Sequence, residues 1–106
     1  MDEKTHARYD ARANIFKALG HPTRLFMVDM LSNGERCVCE LTEQVGADTS
    51  TVSKHLSVLK AAGIVATEKR GLMVFYRLRM PCVLKTFGCI ESVLESNAKA
   101  QMEVAG

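Results

Sequence analysis

The sequence predicts a mainly α-helical protein with one β-hairpin, an α+β fold of the winged helix-turn-helix class. Two short stretches with helical apolar spacing meet at Gly46-Ala47-Asp48, which predicts two helices joined by a sharp turn. Between Ile64 and Leu78 the residues become β-branched and alternating, with a glycine in the middle, which is typical of a β-hairpin. The chain has 106 residues, enough for one modest core, so residues 1–106 are predicted to form a single domain.

Two helices are predicted ahead of the turn region. The first covers residues 5–19, where Ile15, Phe16 and Leu19 form an apolar patch near the C-terminal end. The second begins at Pro22, because a proline at the first helical position loses no hydrogen bond. Its core-facing candidates are Leu25, Met27, Val28 and Leu31.

The helix-turn-helix is predicted at about residues 37–62. Its second helix starts at Thr49 and has a narrow apolar seam whose members lie within about 60° of one another. The seam consists of Val52, Leu56 and Leu59. The opposite side carries hydroxyls and ammonium groups, which suit a DNA groove because they reach phosphates and base edges. These residues are Ser50, Ser53, Lys54, Ser57 and Lys60. The alternative is an ordinary helical hairpin with a solvated polar face.

The β-hairpin is predicted at about residues 64–78, with its turn at Glu68-Lys69-Arg70-Gly71. Its basic tip makes it a plausible wing beside the second helix of the motif. We expect Lys69 and Arg70 to contact the DNA backbone or the minor groove. The alternative is a turn that only improves solubility.

A last helix is predicted over residues 81–98, with Pro81 at its first position. Its apolar residues repeat at spacings of four, three and four, which is typical of a seam between two helices. They are Val83, Phe87, Ile90 and Leu94. The seam serves either as core or as a surface that pairs with a second copy of the chain. Residues 101–106 are expected to be frayed.

Composition and charge favour a cytoplasmic, DNA-facing protein without a membrane segment. The apolar runs are too short for a membrane span, and the polar N-terminus does not fit a signal peptide. Between Thr49 and Met80, six basic residues stand against one acidic residue, leaving +5, whereas the whole chain carries only +2. Such a basic segment is expected of a phosphate-facing surface. The four cysteines are expected to form no structural disulfide, and favour metal binding or redox sensing over plain burial.

Three motifs spread over about residues 12–95 carry a family resemblance. Leu19–Leu25 reads Leu-Gly-His-Pro-Thr-Arg-Leu, Thr49–Leu59 reads Thr-Ser-Thr-Val-Ser-Lys-His-Leu-Ser-Val-Leu, and Glu35–Leu41 reads Glu-Arg-Cys-Val-Cys-Glu-Leu. Together they resemble the ArsR/SmtB family of metalloregulatory transcriptional repressors. The third resembles the cysteine box of its arsenic- and antimony-responsive members. The resemblance implies a homodimer of winged helices, paired through the terminal helices at about 5–19 and 81–98.

The resemblance also implies a repressor bound to an imperfectly palindromic operator in double-stranded DNA. Cys37 and Cys39 are implied to bind As(III) or Sb(III), a reversible effector that releases the DNA, with no permanent cofactor. Thiolates are soft ligands that select thiophilic ions, which agrees with this assignment. The residues expected at the DNA are Thr49, Ser50, Ser53, Lys54, His55, Ser57, Lys69 and Arg70.

One position departs from the family pattern. Some arsenic-responsive members have a third cysteine where this chain has Thr42. Cys82 and Cys89 are the candidates for a third ligand, and their spacing of seven puts them about 20° apart on one helix face. They could complete the first site from the other protomer, form a second site, or be small buried residues of the dimer interface.

Other functions are also compatible with these residues. The same fold could sense oxidants or persulfides through its thiols, since Arg36 and a helix N-terminus favour a reactive cysteine. Another thiophilic metal such as cadmium or lead could be the effector. A winged helix that only binds proteins is a further possibility. No glycine-rich nucleotide loop, hydrolase triad or carboxylate pair suggests an enzyme.

Overall fold

The computed structural model describes residues 1–105, which form five helices, a short 3-10 turn and three strands. The helices are α1 (Glu3–Leu19), α2 (Pro22–Met30), α3 (Val38–Val45), α4 (Thr49–Ala61) and α5 (Val83–Ala105). The strands are β1 (Arg36–Cys37), β2 (Val65–Arg70) and β3 (Met73–Leu78), and the 3-10 turn covers Leu31–Asn33. The predicted fold class, a mainly helical winged helix-turn-helix with a β-hairpin, is confirmed.

The sharp turn of the helix-turn-helix depends on one glycine and one aspartate. Gly46 ends α3 with a φ of 75°, in the left-handed region that glycine enters at little cost. Asp48 then caps α4, because its side chain accepts a hydrogen bond of 2.7 Å from the backbone N–H of Thr51. Asp48 is thus the N-cap residue, and Thr49 is the first residue of the helix.

The core is centred on the buried face of α4. Val52, Leu56 and Leu59 are each completely buried, as the seam predicted. Around them pack the other buried apolar side chains, which are Ala18, Leu19, Met27, Val28, Leu31, Leu41, Ile64, Val65 and Val83. Because α4 inserts one whole side into the core, its opposite side is held facing outward.

The wing lies where it was predicted, but it is part of a three-stranded antiparallel sheet with the order β1-β3-β2. The turn predicted at Glu68–Gly71 is wrong, because β2 continues through Arg70 and pairs it with Met73, leaving Gly71 and Leu72 at the tip. Strand β1 was not predicted. It pairs Arg36 with Tyr76 and Cys37 with Phe75, and so joins the cysteine motif to the wing.

Both ends of helix α5 also differ from the prediction. Helix α5 begins at Val83, so Pro81 lies in the preceding turn and not at the first helical position. The helix continues past residue 98 to Ala105, so the expected fraying of residues 101–105 is wrong, whereas Gly106 lies outside the described residues.

Several large apolar side chains lie on the surface of the single chain, among them Leu25, which was predicted to face the core. Phe16 of α1 is 72% exposed and Leu25 of α2 is 38% exposed. On α5, Val83 is buried and Phe87 packs partly against the core, but the seam then leaves the core. Ile90 and Leu94 are 49% and 53% exposed. None of the helices within residues 1–105 is long and apolar enough to cross a membrane.

Replacing the central core residue should test how far the fold depends on α4. We expect Leu56→Ala to lower the free energy of unfolding by about 2–5 kcal/mol, because it leaves a cavity at a fully buried position. The matched control is Val58→Ala on the same helix, where the side chain is 41% exposed and the expected change is within about 0.5 kcal/mol. Urea unfolding followed by circular dichroism measures both. Equal losses would contradict the central role of the seam.

Candidate nucleic-acid interface and thiol pair

The outer face of α4 carries most of the residues expected at the DNA. Thr49, Ser50, Ser53, Lys54 and Ser57 are all exposed, and Val58 and Lys60 lie beside them. The hydroxyl of Ser57 donates to the backbone carbonyl of Ser53 at 2.9 Å, so in the structure its proton is used within the helix. Its oxygen can still accept a hydrogen bond. The arrangement is a helix face of hydroxyls and ammonium groups at a fixed angle to the core.

His55 differs from the rest of this group, because its ring turns back toward the protein. Its Nδ1 lies 3.1 Å from Nη1 of Arg24, and its ring centroid is 4.2 Å from that of His21. Arg24 also donates to the carbonyls of Lys17 and Ala18 at the end of α1. His55 therefore joins α4 to the junction of α1 and α2, and only part of the side chain is accessible.

The two basic residues of the wing have different surroundings. Lys69 is exposed near the tip. Arg70 is held in place: its guanidinium donates to both carboxylate oxygens of Glu35, at 2.6 and 2.9 Å, and to Glu68 at 2.6 Å. The same guanidinium lies over the ring of Phe75, 4.6 Å from its centroid. We call Glu35, Glu68 and Arg70 the Arg70 clamp.

Cys37 and Cys39 are joined by a disulfide bond. The expectation that the cysteines form no disulfide is wrong for this pair. The strand-to-helix junction at Val38 brings their Cα atoms to 5.3 Å, within the range that a disulfide spans. Cys37 is buried, whereas Cys39 is exposed, so the bond reaches from the core to the surface.

Cys37 also caps helix α3. Its sulfur accepts a hydrogen bond of 3.3 Å from the backbone N–H of Glu40, and the Glu40 carboxylate accepts one of 3.3 Å from the N–H of Cys37. This reciprocal pair is a capping box, with cysteine in the position usually taken by serine or threonine. The chemistry of one sulfur atom is thereby coupled to the start of the first helix of the helix-turn-helix.

The other two cysteines lie apart from this pair. Cys82 is in the turn before α5 and Cys89 is in the helix, and both are exposed free thiols. Burial within the single chain is therefore not the reason for them. Among residues 1–105, no group of three or more His, Cys, Asp or Glu side chains lies close enough together to hold a metal ion. A third thiolate thus does not join Cys37 and Cys39 within the described part of one chain.

Comparison with known proteins agrees with this geometry. Residues 21–67 match the family described as bacterial regulatory protein, arsR family. An HTH-type transcriptional regulator of Methanocaldococcus jannaschii is 44% identical over 70 residues, which are 65% of this chain and 79% of that protein. The biofilm growth-associated repressor of Xylella fastidiosa is 42% identical over 76 residues, which are 72% of this chain and 67% of that protein.

The chain belongs to the arsR family of bacterial regulatory proteins. A homodimeric winged helix-turn-helix DNA-binding domain from Mycobacterium bovis, described as a possible ArsR-family regulator, has a TM-score of 0.78 and is 28% identical. The match covers 93% of this chain and 92% of that one. The resemblance to the ArsR/SmtB family is confirmed, and so is the expectation that the chain is a regulator and not an enzyme.

Sequence reasoning missed two parts of this arsR-family site. It assigned no role to Glu35, which pairs with Arg70 across 35 positions of sequence. It also treated Arg24 as part of a motif without seeing its contact with His55, which spans 31 positions. A charged residue beside the cysteine motif was the only available signal for Glu35, and nothing in the local pattern indicated its partner.

The surroundings of His55 predict a dependence of stability on pH. Burial lowers the pKa of His55 below its usual value of 6.5, and the charges of His21 and Arg24 lower it further. The unfolded chain therefore binds this proton more readily, so stability is present above the usual value and is lost as the pH falls through it. We expect the urea midpoint to fall between about pH 8 and about pH 5.5. His55→Gln should flatten this fall, and an unchanged slope in that variant would assign the effect elsewhere.

Proposed function

We propose that the chain is a DNA-binding transcriptional repressor that acts as a homodimer and is released from its operator when As(III) or Sb(III) binds Cys37 and Cys39. The observation that carries the proposal is the position of this thiol pair. The two sulfur atoms are bonded to each other at the start of α3, where Cys37 is the capping residue. Helix α3 is followed directly by α4, which carries most of the residues expected at the DNA. Only α3 and the turn after it separate Cys37 from α4 along the chain.

DNA binding is supported by the outer face of α4 and by the wing. Ser50, Ser53 and Lys54 face outward on α4, and Lys69 lies near the tip of the wing. A helix of this kind enters the major groove, where hydroxyls meet phosphates and base edges and lysines neutralise the backbone. His55 is better suited to holding the helix in position than to reading bases, because its ring contacts Arg24 and His21.

The release mechanism follows from the capping box. When Cys37 and Cys39 are reduced to thiolates, they supply two soft ligands of the kind that trivalent arsenic and antimony prefer. When the Cys37 sulfur binds such an ion, its hydrogen bond from the N–H of Glu40 is weakened. A helix N-cap contributes about 1 kcal/mol to stability. Loosening the start of α3 shifts its packing on α4. A hundredfold change in operator occupancy needs about 2.7 kcal/mol, within the usual range of coupling energies.

The third ligand of such a site would come from outside the Cys37–Cys39 pair. Cys82 and Cys89 are free thiols with exposed side chains, so either could approach the pair from the other protomer. Solvent or a small thiol could also occupy the third position. The discrimination between arsenic, antimony and other thiophilic ions such as cadmium depends on this choice.

Homodimer formation is supported by the apolar surface of the terminal helices. Phe16, Ile90, Val93 and Leu94 are all about half exposed or more in the single chain. A shallow cavity of about 470 Å³ lies between α2 and α5, lined by Leu25, Phe87, Ile90 and Leu94 among others. Monomeric proteins rarely expose large contiguous apolar patches, so a second copy of the chain is the expected cover.

A second candidate function is favoured by the disulfide itself. In this alternative the repressor responds to oxidants or persulfides, and the Cys37–Cys39 bond is the signal. Forming the bond removes two protons and two electrons from the two thiols. A hydroperoxide accepts them as its O–O bond breaks, giving water and an alcohol or a second water. The exposure of Cys39 gives such a reagent access to the pair.

The effector is tested by fluorescence anisotropy on a duplex from upstream of the protein's own gene. We expect arsenite or antimonite, added to the complex in the presence of a phosphine reductant, to release the wild-type protein. Cys37→Ser/Cys39→Ser should still bind the duplex, since serine also caps a helix well, but should not be released. Release of this variant at wild-type concentrations of arsenite would contradict the metalloid site.

The same assay separates the remaining alternatives. Release by diamide or polysulfide alone, without release by arsenite, would assign the protein to the thiol-oxidation class. Cys82→Ser/Cys89→Ser provides the second arm. Unchanged release by arsenite in this variant would restrict the site to Cys37 and Cys39, whereas weakened release would add a ligand from α5 or the turn before it.

The dimer surface is tested by placing a charge in the exposed seam. We expect Ile90→Glu to shift the protein toward monomer in sedimentation velocity and to weaken operator binding at least tenfold, because a buried unpaired carboxylate costs several kcal/mol. The matched control is Ser92→Glu, which adds the same charge to another side of α5 and should leave the dimer intact. Unchanged sedimentation of Ile90→Glu would exclude this face as the interface.

A further inference from the structure

The Arg70 clamp occupies the guanidinium that the wing would otherwise offer to DNA. Arg70 donates from Nη1 and Nη2 to Glu35 and from Nη2 to Glu68, while the face of the guanidinium lies over Phe75. The three charged groups together carry −1. In this arrangement Lys69 is exposed beside a locally acidic cluster.

The clamp is tied to the thiol pair by backbone pairing. Glu35 directly precedes β1, the strand that carries Cys37. In the β1–β3 ladder Cys37 is the partner of Phe75, the aromatic ring on which Arg70 rests. Backbone pairing therefore links Cys37 to Phe75, the guanidinium of Arg70 rests on the Phe75 ring, and Arg70 pairs with Glu35, which precedes β1. A change in how β1 lies against β3 therefore moves Glu35 relative to Phe75, two of the three groups that hold Arg70.

The clamp is also weak enough to be opened. Its side chains are 39–61% exposed, and exposed ion pairs are weak because water and salt screen the two charges. A DNA phosphate can compete for an arginine held on these terms. Hydrogen bonding from Arg70 lowers the pKa of Glu35, so this carboxylate stays charged at neutral pH.

We propose that Glu35 is an intramolecular competitor of DNA for Arg70, and that the Cys37–Cys39 disulfide keeps this competitor in place. In the disulfide-bonded form the clamp is closed and Arg70 is withheld from the phosphate backbone. A dithiol reductant supplies two electrons and two protons, becomes a disulfide itself and converts Cys37 and Cys39 to thiols. Strand β1 then shifts against β3, so that Glu35 loosens and Arg70 becomes available to the DNA. The proposal deepens the proposed function and rests on it for the role of the thiol pair.

The test compares Glu35→Gln with Glu43→Gln, which removes the same charge from an exposed position of α3 outside the clamp. Affinity for the upstream duplex is measured by anisotropy between about 50 and about 200 mM salt. One additional phosphate contact steepens the log–log salt dependence by about 0.9, so the gain from freeing Arg70 is about threefold larger at the lower salt concentration. We expect this steepening in diamide-oxidised Glu35→Gln and not in Glu43→Gln.

One further variant and one further redox condition make the test decisive. Glu35→Gln/Arg70→Gln should lose the steepening, because the cation that makes the new contact is gone. In the reduced protein, Glu35→Gln should change the slope less than in the oxidised protein. Equal slopes for Glu35→Gln and Glu43→Gln, or a gain that survives loss of Arg70, would overturn the clamp.

The outcome is distinguishable from failure of the proposed function. If Glu35→Gln steepens the salt dependence equally in oxidised and reduced protein, the disulfide does not keep Glu35 in place. If neither arsenite nor diamide releases the wild-type protein while the oxidised Glu35→Gln variant still shows the steeper slope, the thiol-effector role fails and the competition for Arg70 stands.

Discussion

The structure depends above all on the burial of one side of α4. Val52, Leu56 and Leu59 are fully buried, and they contact a core supplied by helices on both sides in sequence and by β2. The hydrophobic effect acts on area and not on direction, but a helix that buries one stripe has no freedom to rotate. The side opposite the stripe is therefore presented to solvent at a fixed angle. This constraint makes a set of serines and lysines into a surface that can match a groove.

The second organising contact is the short strand β1. Two residues pair with the wing, and the next residue begins α3, so the cysteine motif lies where sheet and helix-turn-helix meet. Cys37 takes part in the ladder, caps α3 and bonds to Cys39. This residue therefore lies where β1, β3 and α3 meet.

The charged side chains divide into two kinds. Lys54 and Lys69 are exposed to solvent. An exposed positive charge is sufficient for long-range attraction to phosphate. Arg24 and Arg70, in contrast, are held by specific partners. Arg24 connects the end of α1 to His55 of α4, and Arg70 connects the wing to Glu35. The planar guanidinium suits both tasks because it donates in several directions at once.

The amino-acid sequence by itself determined the helix-turn-helix and the existence of the wing. The seam of α4, the glycine stop at Gly46 and the cap at Asp48 are local signals whose partners lie within a few residues, so periodicity and capping rules detect them. The cysteine motif was equally visible. The predictions failed at the wing turn and at both ends of α5. The residues at the wing turn are compatible with strand or turn, and those at the ends of α5 with helix or irregular chain.

Only the tertiary structure decided which distant residues meet. Strand β1 is two residues long and has no recognisable pattern of its own, and it exists because β3 offers it a free edge. The pairs Glu35–Arg70 and Arg24–His55 span 35 and 31 positions, and their formation requires the helices and the sheet to be docked first. Local propensity carries no information about such docking. The outward-facing residues of α4 could thus be predicted from the sequence, whereas the contacts that hold Arg70 and His55 in place could not.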